Sequence, residues 1–477
     1  MTATGETPRE QRFQRHAKER ARPERKGKRK REGAGGGAKG KKSSGSRILV
    51  INAGSSSLRY ALFAFPPATG TVLLKGYIDA IETGQRGRSR RQTTHAITLY
   101  KTSAGERRRS NRAQPVLKEQ LQQQQTCKTP VRNHEEAIAL ALATLTETGA
   151  LAAMSDITAV GHRVVHGGAV HAKPAKHPKQ ATLPAHRVTP ALLRAVQQYN
   201  SFAPLHNPHN LAGIHKSLQH LPRAKHFIVF DTAFHRSIPD VAATYALPRS
   251  LAKKQGLRRY GFHGTSVAGA IREAKQLLGT MPKRAVVCHV GGGVSVTALL
   301  RGTSIDTSMG VTPLEGPPMG TRSGTVDPGL VIHLASQGVS ASELLHLFSN
   351  ESGLLGVSGV SADIREVLAA AKKGNKDAAL SLALLEYHLA KHVSSYLPAL
   401  GGLDTLIFTG GIGEHIASLR ARVCERLAFL GVKLDRRKND RHARIISTSS
   451  SRVSVLVIPA DEERTIAQAV FSALSLC

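Results

Sequence analysis

The stretch Ile48-Leu49-Val50-Ile51-Asn52-Ala53-Gly54-Ser55-Ser56-Ser57-Leu58 decides how this chain is read. Four apolar, mostly β-branched residues make a buried strand. The strand runs straight into an Asn, a Gly and three Ser. Gly admits a left-handed backbone, and the small hydroxyl residues leave N–H and O–H groups facing outward. Such a turn suits a phosphate or a hydrated metal ion, although many strand–Gly–Ser turns are only turns. The pattern returns at Ala285–Ser295: apolar strand, Gly-containing polar turn, next strand. Two similar halves would enclose a cleft, a common ligand site.

Outward from that stretch, strand-like runs lie at 72–74, 96–100, 157–160, 226–230, 295–300, 405–408 and 453–458. Helix-like stretches lie at 134–147, 190–200, 265–278, 362–373, 377–396, 416–429 and 462–474. The alternation predicts an α/β architecture. With 477 residues the chain can bury a large core, as two domains. The formal net charge of +34 is unevenly placed. Residues 1–46 hold 15 Lys/Arg against 5 Glu, with almost no large apolar side chains, so they are expected to be disordered. Residues 83–112 hold 9 Lys/Arg against one Glu, and the polar run Gln122–Gln125 follows; much of 83–130 reads as a surface insertion. Gly35 to Lys42 nearly spells a phosphate-binding loop, but Lys42 stands where Ser or Thr belongs and no strand precedes it.

The four cysteines (Cys127, Cys288, Cys424, Cys477) show no zinc spacing and no CxxC, which predicts a reduced, cytoplasmic protein. No apolar run is long enough for a membrane span, and the N-terminus lacks the apolar core of a secretory signal. It is Arg-rich like a transit peptide, but Glu6, Glu10, Glu19, Glu24 and Glu32 argue against that use.

Several loops carry chemistry. His162-Arg163 follows the strand at 157–160, and an Arg there can grip a carboxylate with two parallel hydrogen bonds. Taken alone, it reads more readily as a surface ion pair. Asp231 ends another apolar strand. His263 precedes a helix, whose N–H groups favour anions. His289-Val290-Gly291-Gly292-Gly293 forms a second phosphate-type loop, and Arg322 is flanked by glycines.

These loops together resemble the acetate kinase family, within the acetate and sugar kinase/actin/Hsp70 superfamily. The matching phrases are INAGSSSL, GHRVVHGG, APLHNP, FDTAFH, RRYGFHGTS, DTSMGVTPLEG, MGTRSG, SADIR, FTGGIGE and IPADEE, in family order from about residue 47 to 475. The resemblance implies two RNase-H-like domains facing an interdomain cleft. Residues 47–232 would form the first, with the insertion and the last helix (about 462–477); residues 233–461 would form the second, which binds nucleotide. It also implies a homodimer.

The implied reaction is reversible transfer of the γ-phosphoryl of ATP to acetate, with Mg²⁺ or Mn²⁺. Acetate is already ionised at neutral pH, so the reaction needs positioning and charge stabilisation more than proton chemistry. By the match, Arg163 binds the carboxylate, and Val165, Leu205, Phe262 and Pro313 surround the methyl group. Asp231 is the catalytic Asp, in a positioning role. His263 and Arg322 stabilise the transferring phosphoryl, with His206 in support. Asn52 and Glu462 match the metal site, through water. Arg59, His289, Val290, Gly291, Gly292, Gly293, Asp363, Ile364, Arg365, Gly411, Ile412, Gly413, Glu414 and His415 match the nucleotide contacts.

The chain also departs from the family pattern. Arg59 replaces Lys, Gly292 replaces Asn, Val267 replaces His, Thr325 replaces Asp, His415 replaces Asn and Asp461 replaces Asn. These bear on nucleotide affinity and rate more than on reaction type. Propionate kinase is the nearest alternative, and butyrate kinase a more distant one. A nucleotide-binding protein with weakened catalysis and a polyanion-binding tail is an alternative of another class.

Overall fold

The apolar stretch at 48–51 is the middle of β1 (Ser46–Ala53), which turns into β2 (Leu58–Phe65) and then β3 (Thr71–Asp79), each paired antiparallel with the one before. The computed structural model describes residues 45–54, 57–67, 70–79, 81, 93–104, 117–128, 130–168 and 183–475. The basic tail, its loop-like decoy, Ser55, Ser56 and Cys477 lie outside them.

Two more strands add in parallel beside β1: β6 (Ile157–Val164), and β8 (Lys225–Phe230) beyond it. Later the chain repeats the plan. β9 (Arg284–Val290), β10 (Val294–Leu300) and β11 (Thr303–Thr307) form an antiparallel meander, and β12 (Thr405–Thr409) and β13 (Ser454–Val457) follow in parallel beside β9. The orders β3-β2-β1-β6-β8 and β11-β10-β9-β12-β13 are therefore equivalent, which bears out the duplication suggested by the two strand–turn–strand phrases.

The first sheet has additional edges. β7 (His186–Arg187) pairs with β8. On the opposite side β4 (Thr94–Ala104) pairs with β3, and β5 (Leu117–Lys128) pairs with β4. Of the stretch 83–130 read as an insertion, the described residues 94–104 and 117–128 form this edge hairpin. The Gln run lies in an edge strand, where ladder hydrogen bonds to β4 give the backbone its partners and the side chains face water.

Both central strands are buried on both faces, which explains their continuous apolar runs. Ile48 and Val50 point into one core, and Leu49 and Ile51 into another beneath the helix His134–Glu147. Ala285 and Val287 share the first core, whereas Val286 and Cys288 join a third, with Leu385, Leu389 and Val423 from the helices Lys376–Ser395 and Ala417–Arg426. The helices Gly264–Leu278 and Glu462–Leu474 pack on each other; the latter lies on β1, β2, β6 and β8. Contact is close. A Cβ on Gly161 would stand 2.8 Å from Ile466 and 2.9 Å from Val470, and one on Gly269 would stand 2.7 Å from Thr465. The last helix thereby returns to the first sheet and sets Glu462, its first residue, beside that sheet's strand ends. No helix among the described residues is long and apolar enough to cross a membrane.

Candidate active site

Strand ends and helix starts converge here, as they do where ligands bind in α/β proteins. β6 delivers Arg163 and β8 delivers Asp231 directly after its last residue. Arg163 Nε donates to both oxygens of Asp231, at 3.0 and 3.1 Å, and Nη2 donates at 2.6 Å. Thr265 Oγ1 donates to the same carboxylate at 2.9 Å. The outer edge of the guanidinium faces Asn52 Oδ1 at 3.5 Å and Glu462 Oε2 at 3.4 Å. Burial works against the charge of Arg163, but Asp231 and Glu462 outweigh it and hold the group more firmly protonated than usual. Burial pushes the Glu462 carboxyl up, against the pull of Arg163.

The loop after Arg163 is pinned by one helix, Asn207–His220. Asn207 accepts from the His166 N–H at 3.0 Å and donates to the His166 carbonyl at 3.0 Å. Asn210 accepts from the Val165 N–H at 3.1 Å and donates to the Ala53 carbonyl at 2.6 Å, tying β1 to the same loop. His166 is neutral by construction: Nδ1 accepts from the Gly168 N–H and Nε2 donates to the Val311 carbonyl.

His263 starts the helix Gly264–Leu278 with a left-handed backbone (φ 58°), a costly conformation for a residue with a side chain. Its ring lies 4.1 Å from that of His289. Buried hydroxyls hold both: Ser295 Oγ is 3.0 Å from His263 Nδ1, and Ser266 Oγ is 2.8 Å from His289 Nδ1. Burial pushes His263 well below its ordinary pKa, with His289, Arg163 and Arg322 adding to the effect. Burial, then Arg163, brings His289 down to about 4. Both rings are neutral donors or acceptors at neutral pH.

Arg322 Nη2 donates to His206 Nε2 at 3.3 Å, and Nη1 donates to the Pro313 carbonyl at 3.3 Å. Burial and the neighbouring Arg322 take His206 down to about 3. A Cβ on Gly293 would lie 3.1 Å from His263 Nε2 and 3.6 Å from Arg322 Nη1, so glycine leaves both tips room. Arg322 and His206 also border a cavity of about 130 Å³ lined by Phe202, Leu205, Pro313 and Leu345. Val165 and Phe262 are buried in the adjoining core and do not line it.

The main cleft has a volume of about 670 Å³. Its wall includes Asn52, Arg59, Arg163, His263, His289 and Glu462, together with Gly291, Gly292, Asp363, Ile364, Arg365, Gly411, Ile412 and His415. Among the expected nucleotide contacts, Val290, Gly293, Gly413 and Glu414 are not in the wall. Val290 packs in the core, and Glu414 instead accepts from the Ala460 N–H at 2.8 Å. Asp363 caps the helix Ile364–Lys372 and pairs with Arg365.

Asn52 and Glu462 offer hard oxygen donors facing the cleft, and among the described residues no three His, Cys, Asp or Glu are placed to hold a metal ion by themselves. That sparse set fits Mg²⁺, which takes one or two carboxylates, retained waters and substrate phosphates. Four of the substituted positions find a partner or a packing role, whereas Gly292 and His415 line the cleft. Val267 is fully buried. Thr325 exchanges two hydrogen bonds with Gly316. Asp461 binds Lys75 and Arg464, both at 2.9 Å. Arg59 lies over Tyr77. Sequence reasoning missed Asn207, Asn210, Thr265, Ser266 and Ser295; Asn207 in APLHNP, and Thr265 and Ser266 in RRYGFHGTS, lay in phrases whose His had been singled out.

A family model described as the Acetokinase family matches residues 92–468. The chain is 40% identical over 436 residues to the acetate kinase of Phocaeicola vulgatus, covering 90% of this chain and 100% of that one. It is 42% identical over 427 residues to the propionate kinase of Citrobacter rodentium, covering 89% and 96%. The crystal structure of Porphyromonas gingivalis acetate kinase superposes with a TM-score of 0.73 at 35% identity, covering 90% of this chain and 100% of that one.

Proposed function

The chain belongs to the acetokinase family of short-chain carboxylate kinases, and from that premise we propose that it transfers the γ-phosphoryl group of ATP to acetate, giving acetyl phosphate and ADP. The observation that carries this reading is one cleft whose wall holds Arg163, His263 and Glu462 together with glycine-rich turns, with Asp231 bound behind Arg163 and Arg322 reaching toward Gly293 beside His263. In this reading the first sheet and the last helix supply the carboxylate side, and the second sheet supplies the nucleotide side.

Asp231 aims Arg163 by occupying its Nε and Nη2 edge, so the substrate carboxylate would meet the Nη1 edge, which it must share with Asn52 Oδ1 and Glu462 Oε2. A carboxylate oxygen attacks the γ-phosphorus, the bond to the β-bridging oxygen breaks, and ADP leaves. No proton needs to move. Neutral His263 donates a hydrogen bond from Nε2 and Arg322 supplies positive charge where the transferring group gathers negative charge. Asn52 and Glu462 would hold Mg²⁺ through water, and the bound ion would neutralise phosphate charge.

Propionate is a second acceptor with its own support. The cavity beside Arg322 and His206, about 130 Å³, exceeds what a methyl group fills, and a propionate kinase is among the close relatives. The helix Pro328–Ser336 has no buried residue and exposes Leu330 and Ile332, which fits coverage by a second copy of the chain. The buried free thiols Cys288 and Cys424 fit a cytoplasmic location.

The test is trapping of acyl phosphate as hydroxamate with purified protein, ATP and Mg²⁺. Acetate should give product above background. No product with acetate, propionate or butyrate would overturn the reading.

A further inference from the structure

Arg420 is the largest side chain with essentially no exposure, and none of its partners is a carboxylate. Nε donates to Asn439 Oδ1 at 2.8 Å. Nη1 donates to the carbonyls of Gly413 at 2.9 Å and Glu414 at 2.7 Å. Nη2 donates to the Asn439 carbonyl at 2.8 Å and to His442 Nδ1 at 3.1 Å. All five N–H groups of the fork are used. A buried cation without an anion is costly. Burial does draw it down, to about 10, which leaves it charged at neutral pH.

The acceptors say what the group holds. Gly413 and Glu414 belong to the short helix Gly411–His415, whose residues Gly411, Ile412 and His415 face the cleft. Asn439 belongs to the short helix Arg436–Asp440 and His442 to the turn after it, and Asn439 Nδ2 donates onward to the Ala417 carbonyl at 2.9 Å. On the other side Glu414 is fastened to Ala460, two residues before Glu462. The cleft wall at 411–415 is thus clamped from behind by Arg420 and in front by the 460 turn.

We propose that Arg420 is a positioning residue for the nucleotide, holding the 411–415 wall in its binding shape without touching the ligand. This rests on the kinase reading above. Lysine keeps the charge but cannot bridge these acceptors. Arg420→Lys and Arg420→Met should therefore both raise the KM for ATP about ten- to a hundredfold. The KM for acetate should stay within about twofold in the same variants. Asn439→Ala and His442→Ala remove single acceptors and should move the ATP KM in the same direction by less. Calorimetric ATP binding should weaken in parallel, with or without turnover. An unchanged ATP affinity in folded Arg420→Lys, or equal rises in both KM values, would overturn the proposal. If the Arg420 variants fail to fold, unchanged ATP affinity in the Asn439 and His442 variants overturns it equally. Wild-type protein that binds ATP but phosphorylates no carboxylate would refute the kinase reading and leave this inference standing on the binding data.

Discussion

Arg163 and Asp231, 68 residues apart in sequence, form a two-pronged ion pair in which the carboxylate is 1% exposed and the guanidinium 18%. The pair sits where two parallel strands end side by side, so the register of β6 against β8 sets its geometry: Arg163 stands opposite Val229, and Asp231 follows Phe230.

Removing Arg163 should therefore have two effects. Arg163→Ala should raise the acetate KM, and it should also destabilise the protein by about 3–5 kcal/mol, because a buried carboxylate loses its counter-ion. Arg322→Ala leaves no such orphan and should lower kcat by about 10²–10³ with a smaller effect on the acetate KM. Steady-state kinetics and thermal melts on both variants check the contrast. Intact turnover with equal effects on the acetate KM would refute this division.

Gly292→Asn should lower the KM for ATP. A Cβ at Gly292 meets nothing within 4 Å, its backbone is not left-handed, and the residue lines the cleft. An amide there gains a hydrogen-bonding group without a steric cost. Titration of initial rate against ATP decides it, and an unchanged or higher KM counts against the idea.

Gly264→Ala should abolish activity. A Cβ there would stand 2.0 Å from the Asp231 carbonyl oxygen and 2.7 Å from the Phe234 Cβ. The first obstacle is backbone, so relief requires moving the start of the helix that carries His263 and Thr265. Circular dichroism with the hydroxamate assay will show whether folding or only turnover is lost; full turnover would contradict the packing argument.

Stability should fall as pH drops from about 6.5 toward 4. Burial holds His166 and His235 at about 4 in the folded protein, against 6.5 ordinarily. Between those values the unfolded chain binds protons that the folded one refuses, so acid favours unfolding. Each ring contributes at most about 1.36 kcal/mol per pH unit across that window. His166→Gln supplies an amide able to donate and accept in place of the ring but cannot titrate, so the variant's melting temperature should depend less steeply on pH. An identical slope would show that His166 is not among the groups responsible.

A chain beginning at Gly45 should keep its turnover, because every residue of the cleft wall lies after β1 begins. It should bind a polyanion column more weakly, since 15 basic side chains are gone, and the difference should shrink with salt. Lost turnover in a folded truncated protein would give residues 1–44 a part in catalysis.

Local chemistry made much of this molecule legible. The apolar runs at 48–51 and 285–288, each followed by a glycine-bearing polar turn, predict their own hairpins, because strand and turn preferences act over a few residues. Arg163, Asp231, His263 and Arg322 could be marked because each sits in a short phrase. Other features were invisible for a stated reason. Gln122–Gln125 has no intrinsic pull toward a strand and becomes one only because β4 offers an unpaired edge. Asn207 and Asn210 look like ordinary helix-start polar residues until β6 brings the backbone of 165–166 against them. Nothing in the sequence marks Arg420 off from the other cations of a basic chain; its burial follows from the packing of its helix against the short helix that holds Asn439, 19 residues later. Sequence alone determined the elements whose stability is local and the residue types able to handle anions. Tertiary structure decided which groups meet, because a hydrogen bond between distant residues depends on how sheets and helices stack, and no short segment carries that information.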